Sequence, residues 1–164
     1  MNHLKIKKIV NNIFKNFNLN NAHAKISADY LIKAELFGAP SHGLARLRMY
    51  CERLKKRIIN PKPKIKVKKI SQSISFIDAN NSIGFVAADI GIKIAIKNAK
   101  KTGIGLVAIK NSGHYGLSSF YAEQAVKKKF NSLVFYKCST GNCSLWCKKK
   151  FIWYKPNLLW HTNG

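Results

Sequence analysis

The chain has 164 residues, 46% of them hydrophobic, enough for one domain with a real core or for part of a larger one, and too few for two independent domains. Thirty Lys and Arg against 6 Asp and Glu give a formal charge of +24, which by itself would point to nucleic acid or an anionic membrane surface. Only 4 of those cations are arginines. The lysines are spread along a chain also rich in Asn and Ile, the residues of A/T-rich codons, and no arginine-rich helix, RNA-binding aromatic signature or finger spacing accompanies them. Specific nucleic-acid binding is therefore not expected, and a basic module for nucleic acid or anionic surfaces stands as the alternative reading.

The longest apolar segment, 85–96, is broken by Asp89 and Lys93, so no membrane span is expected. Three of the 4 cysteines, Cys138, Cys143 and Cys147, crowd the tail at spacings that match no zinc pattern. Reduced thiols and a cytoplasmic location are the expectation.

In chain order, Ile6, Ile9, Val10, Ile13, Phe14 and Phe17 repeat with helical spacing and predict a first helix. A second starts at Asn20 or Asn21, carries Ile26, Tyr30, Leu31, Ala34 and Phe37 inward, and stops at Gly38. After the turn at Pro40, a third helix is expected from Ser41 to near Arg57. Its buried stripe would be Leu44, Leu47, Cys51, Leu54 and Ile58, with His42, Arg46 and Tyr50 on a second stripe facing away from the core. The connector Asn60-Pro61-Lys62-Pro63 then leads to two strands, 64–68 and 73–78, and a turn at 78–81. A buried helix over 85–101 has Ile90, Ile94 and Ala95 inward and is closed by Thr102-Gly103. Next come an apolar strand over 104–109, expected to be central and covered on both faces, a helix over 117–129 and a strand over 131–136. The fold class is α/β: an N-terminal helical segment followed by an α/β sheet layer. No Gly-x-Gly-x-x-Gly follows a strand, so the fold is not Rossmann.

Two stretches carry chemistry. In Ser41-His42-Gly43-x-x-Arg46-x-x-x-Tyr50, an imidazole that titrates near neutrality stands with a guanidinium that grips a carboxylate, a pairing suited to a small hydroxy or keto acid. An ordinary helix start capped by Ser41 is the competing reading. In Asn111-Ser112-Gly113-His114-Tyr115-Gly116, two glycines follow a strand and precede a helix, the place where open α/β sheets hold ligands, with His114 at the rim. For that stretch in isolation, a plain glycine-bearing turn with an exposed histidine is slightly the better reading.

Taken together with Tyr121-Ala122-Glu123, these motifs resemble the malate/L-lactate dehydrogenase family of non-Rossmann, NAD(P)-dependent oxidoreductases, over residues 3 to 130. The resemblance implies hydride transfer between NAD or NADP and the 2-position of a small 2-hydroxy or 2-oxo acid, in a homodimer. It makes His42 and His114 the catalytic histidines, with Ser41, Arg46 and Tyr50 beside the substrate, and leaves the cofactor-binding residues unassigned. Residues 1–60 are then a helical leader with the Ser-His-Gly motif and 61–133 a partial cofactor and substrate domain. Residues 134–164 form an atypical tail that holds all three tryptophans and no acid. Back-translated and shifted by one base, 136–164 can be read as the family's expected continuation through Gly-Thr-Asn-Pro, so a frameshift near 130–134 is expected. The truncated product is expected to be poorly stable and inactive, with apolar faces and a sheet edge uncovered.

Overall fold

The computed structural model describes residues 2–135. Helices α1 (His3–Asn16) and α2 (Asn21–Leu36) are both opened by an asparagine. Asn2 accepts from the Leu4 N–H and Asn20 from the His23 N–H, each filling a donor that a helix start leaves unpaired. The two helices pack on each other, and Val10, Phe14, Ala24, Ala28 and Leu31 are among the most buried residues of the molecule. Ile9 and Phe37, expected inside, are 56% and 61% exposed. The step of about 100° between Ile9 and Val10 puts the former off the seam, and Phe37 lies just past the end of α2.

The third helix differs most from expectation. Residues Pro40–His42 and Leu44–Arg46 form two separate 3₁₀ turns, and α3 begins only at Leu47, ending at Lys55. The cause lies in α2. The Leu44 N–H, which in a continuous helix would bond the Pro40 carbonyl, donates instead to Glu35 Oε1 at 2.5 Å, and a Cβ on Gly43 would collide with that same carboxylate. Because α3 stops at Lys55, the expected stripe runs out early: Leu54 is buried, Ile58 is 60% exposed and Ile59 takes the inward place. Tyr50, expected to face away from the core, is fully buried.

Strands β1 (Lys66–Lys69), β2 (Ile74–Ser82) and β3 (Leu106–Ser112) make one sheet in that order, β1 antiparallel to β2 and β2 parallel to β3. The expected turn at 78–81 is instead the end of β2, which continues through an irregularity with Asn80 and Asn81 in the left-handed region (φ 50° and 55°). Helix α4 (Gly84–Thr102) crosses between β2 and β3 and covers the face that carries Ser75, Ile77 and Ala79. Phe85, Val86 and Ala87 are its most buried apolar residues, whereas Ile90, Ile94 and Ala95 are half-buried. β3 is not covered on both faces. Among the described residues it is an edge strand with Leu106 55% exposed, because α4 lies on one side of the sheet alone. Helix α5 (Ser119–Val126) is shorter than 117–129, and 131–135 carry no regular structure; Tyr136 and the tail with its three cysteines lie outside the described residues. No described helix is long and apolar enough to cross a membrane.

Candidate active site

The 3₁₀ turns before α3 and the loop from β3 to α5 meet, and they bring His42 and His114 together. The two imidazole rings lie 6.0 Å apart between centroids, 28° from parallel. On the first segment, Ser41 Oγ is 3.1 Å from His42 Nδ1, and Arg46 Nε donates to the Ser41 carbonyl at 2.8 Å. Arg46 is exposed, and its terminal guanidinium nitrogens have no partner among the described residues.

His114 is half-buried and held by two hydrogen bonds. Its Nδ1 is 2.7 Å from the Tyr50 hydroxyl and 3.3 Å from the Gly116 N–H. The backbone N–H can only donate, so Nδ1 is an acceptor, the Tyr50 hydroxyl donates to it, and the neutral ring carries its proton on Nε2. Burial pushes the His114 pKa down, and the charges of His42, Arg46 and Arg53 push it further in the same direction. The Tyr50 phenol is itself raised by burial, so the hydroxyl keeps its proton and remains a donor.

The loop is fixed by contacts on either side of His114. Gly84, first residue of α4, lies so close beneath it that a Cβ would overlap the Gly113 and His114 carbonyl oxygens. Gly116 has φ +77° and presses on the Phe85 ring. The buried Tyr121 of α5 donates its hydroxyl to the Tyr115 carbonyl at 2.6 Å. Behind these, Tyr30 stacks on Phe85 (5.6 Å, 7°), donates to Asp89 at 3.1 Å and accepts from Gln124 at 2.7 Å, tying α2, α4 and α5 together.

Every site residue proposed from the sequence thus falls in one region, but not on one helix stripe. Ser41, His42 and Arg46 sit on the 3₁₀ turns, Tyr50 beneath them in the core, and His114 opposite. Three residues that shape the region were not singled out: Glu35, which sets the turn geometry; Arg53, whose charge reaches His114; and Gly84, whose missing side chain admits the loop. Only Glu35 had a visible sign, a lone acid in a basic chain just before the motif.

The family model for malate/L-lactate dehydrogenase matches residues 1–152. The chain belongs to the malate/L-lactate dehydrogenase family. It is 33% identical over 150 residues to the L-sulfolactate dehydrogenase of Methanocaldococcus jannaschii, covering 92% of this chain and 44% of that protein. It is 31% identical over 125 residues to the ureidoglycolate dehydrogenase (NAD(+)) of Escherichia coli K12, covering 76% of this chain and 36% of the relative. The malate dehydrogenase structure from Pyrococcus horikoshii superposes with a TM-score of 0.74 at 35% identity, over 77% of this chain and 36% of the other. The chain therefore spans less than half the length of these family members, and the fold expected from the motifs is the observed one. The family match runs to residue 152, past residue 133, where the motifs in the sequence break off.

The nicotinamide cofactor that the family implies can be tested against the described residues. The donor set fits the protein's side of hydride chemistry: an imidazole with an N–H free to donate, a second imidazole that can carry a proton, and a guanidinium with free N–H groups. No glycine-rich strand-to-helix turn of the dinucleotide-binding type occurs among the described residues, so none of them is assigned to the dinucleotide's phosphates.

Proposed function

We propose that this site works in the oxidation and reduction of a small 2-hydroxy or 2-oxo acid, with NAD or NADP as the hydride carrier. The observation that carries the reading is the filled Nδ1 of His114, which leaves Nε2–H as a hydrogen-bond donor beside a second imidazole and a free guanidinium. The nicotinamide, when bound, gives or takes the hydride at carbon 2. The oxygen on that carbon takes a hydrogen bond from Nε2–H of the neutral His114, which stabilises the charge developing there, and the second imidazole, His42, gives it the matching proton in reduction as an imidazolium and takes it back in oxidation as a neutral ring. The depressed pKa of His114 keeps that ring neutral near pH 7, with Nε2–H as the donor to the substrate oxygen. Arg46 binds the C1 carboxylate with its terminal N–H pair, held in direction by the bond from Nε to Ser41. Tyr50 acts through His114 and not on substrate: it is fully buried and its hydroxyl is used by Nδ1.

Titration of the purified full chain with a 2-oxo acid, followed by NMR of the imidazole nitrogens, tests the reading. Saturable shifts of the His114 resonances are expected, lost in Arg46→Gln; resonances that do not move would overturn it. The chain by itself is expected to turn over little substrate, since no dinucleotide cradle lies among residues 2–135, and measurable reduction of a 2-oxo acid with NADH or NADPH would overturn that expectation.

A further inference from the structure

Helix α4 packs on one face of the sheet. Its Gly91 lies against Val107 and Ile109, so those residues, with Ser75, Ile77 and Ala79, point toward α4, and their neighbours along each strand point to the other side. The ladder register sets that other face out in rows. Lys68, Phe76 and Ala108 stand side by side on β1, β2 and β3, and the next row is Lys66, Asp78 and Lys110. Among the described residues this face is open: both β1 lysines, Ala108 and Lys110 are exposed, as are Ile74 and Leu106 in the row on the other side of Phe76. A parallel pair such as β2 and β3 is ordinarily covered on both faces, so an open one is a surface with room for a partner.

The charge of this surface has one sign. No acid lies between Glu52 and Asp78, a stretch with nine Lys and Arg. Asp78, the one acid in the two rows, is engaged by the Lys110 ammonium at 3.4 Å, by Asn111 Nδ2 at 3.0 Å and by the Asn80 N–H at 3.1 Å. Lysines on an edge strand such as β1 also discourage strand pairing. That role does not account for Phe76, an aromatic in the middle strand, half-buried, with the Lys110 ammonium over its ring at 5.5 Å from the centroid. The ring is therefore reached from the open side, and the methyl group of Ala108 beside it is too short to cover it. A flat π-face with cations on both sides suits a nucleobase and its phosphates, and the six residues of the two rows include no amide or hydroxyl that would read a base edge.

We propose that this face binds single-stranded nucleic acid irrespective of sequence, one base stacking on Phe76 above Ala108 and the adjoining phosphates pairing with Lys66, Lys68 and Lys110. The surface is separate from the histidine pair, none of whose residues it uses.

Fluorescence anisotropy of the full chain with labelled oligouridylate and oligothymidylate of about 12 nucleotides, across a potassium chloride series, tests it. Because a chain of charge +24 attracts any polyanion, the comparison is between variants. Phe76→Leu is expected to weaken the oligomers by about fivefold or more with the salt dependence unchanged, and Phe76→Tyr to keep the affinity. Lys66→Gln with Lys68→Gln should lower the slope of log affinity against log salt by about 1.4, whereas Lys5→Gln with Lys8→Gln, exposed on α1, should leave it in place. The tighter of the two oligomers tells RNA from DNA. Undiminished affinity in a folded Phe76→Leu, or an α1 pair that lowers the slope as much as the β1 pair, overturns the proposal; should Phe76→Leu fail to fold, the two lysine pairs decide. Polyglutamate bound as tightly as the oligomers makes the face a general anion surface and overturns it. So does Phe76-dependent binding to phosphatidylserine vesicles without oligonucleotide binding, which makes it a membrane surface.

Discussion

Replacing Tyr50 by Phe removes one oxygen from the centre of the site and leaves the packing intact, which makes its effects separable. The ring stays buried against Phe85, 5.0 Å between centroids, so no cavity forms. What is lost is the 2.7 Å donation to His114 Nδ1, while the longer bond from the Gly116 N–H at 3.3 Å remains, so the acceptor is not orphaned. The expected cost is then that of one net hydrogen bond, about 1 kcal/mol, or a fall in melting temperature of roughly 2–4 °C for a domain of this size. The effect on titration is larger in consequence. A donor on Nδ1 favours the neutral ring, so the loss of this one raises the His114 pKa, and burial, the neighbouring cations and the Gly116 N–H then hold it down. Thermal melts by circular dichroism and a pH titration of the imidazole nitrogens read the two effects. A His114 midpoint that stays in place or falls in Tyr50→Phe would refute the donor assignment; a loss of several kcal/mol would show that the hydroxyl supports more than this one bond.

Four further outcomes follow from the same contacts. Gly84→Ala forces a Cβ into the Gly113 and His114 carbonyls and is expected to cost about 1–3 kcal/mol in a denaturant melt, with the His114 resonances displaced even where the chain folds. Leu31→Ala empties a fully buried core position beside α1 and should cost about 2–5 kcal/mol, a large part of any marginal stability. Burial depresses the pKa of His23 and of His114, so the unfolded chain binds protons more readily than the folded one as pH falls below about 6.5; stability is expected to be complete above that value and to decline on acidification through the folded-state pKa values, with His114→Gln flattening the slope. The tail is proposed to be a shifted reading frame, and gene sequence across codons 130–164 checks it: a Tyr154 codon of TAT with a Lys155 codon of AAG would read Ile-Ser where the family continuation needs Thr-Asn.

What was legible in the sequence, and what was not, divides by the distance over which the deciding contact acts. Asn20 and Gly38 announce the ends of α2 because a cap and a helix stop are settled within four residues, and the observed bounds follow them. The site's membership was legible for a related reason, since an imidazole and a guanidinium declare their chemistry in isolation. The arrangement was not. Helical spacing from Ser41 puts His42, Arg46 and Tyr50 on one outward stripe, but that presumes an unbroken ladder, and Glu35, nine residues upstream of Leu44, takes the N–H the ladder needs. Within α3 itself Tyr50 is only about 60° from Leu47 and 40° from Leu54 at 100° per residue, so a phenol could join the apolar face provided its hydroxyl found a partner. That partner, His114, is 64 residues away in sequence, and no local pattern contains it. The same holds for β3, whose apolar run has the composition of a covered strand, while its exposure depends on which elements lie beside it. The histidine pair is therefore a product of topology: β3 runs parallel to β2 over α4 and delivers its last loop onto Gly84, and the 3₁₀ turns bring the Ser-His-Gly segment to meet it.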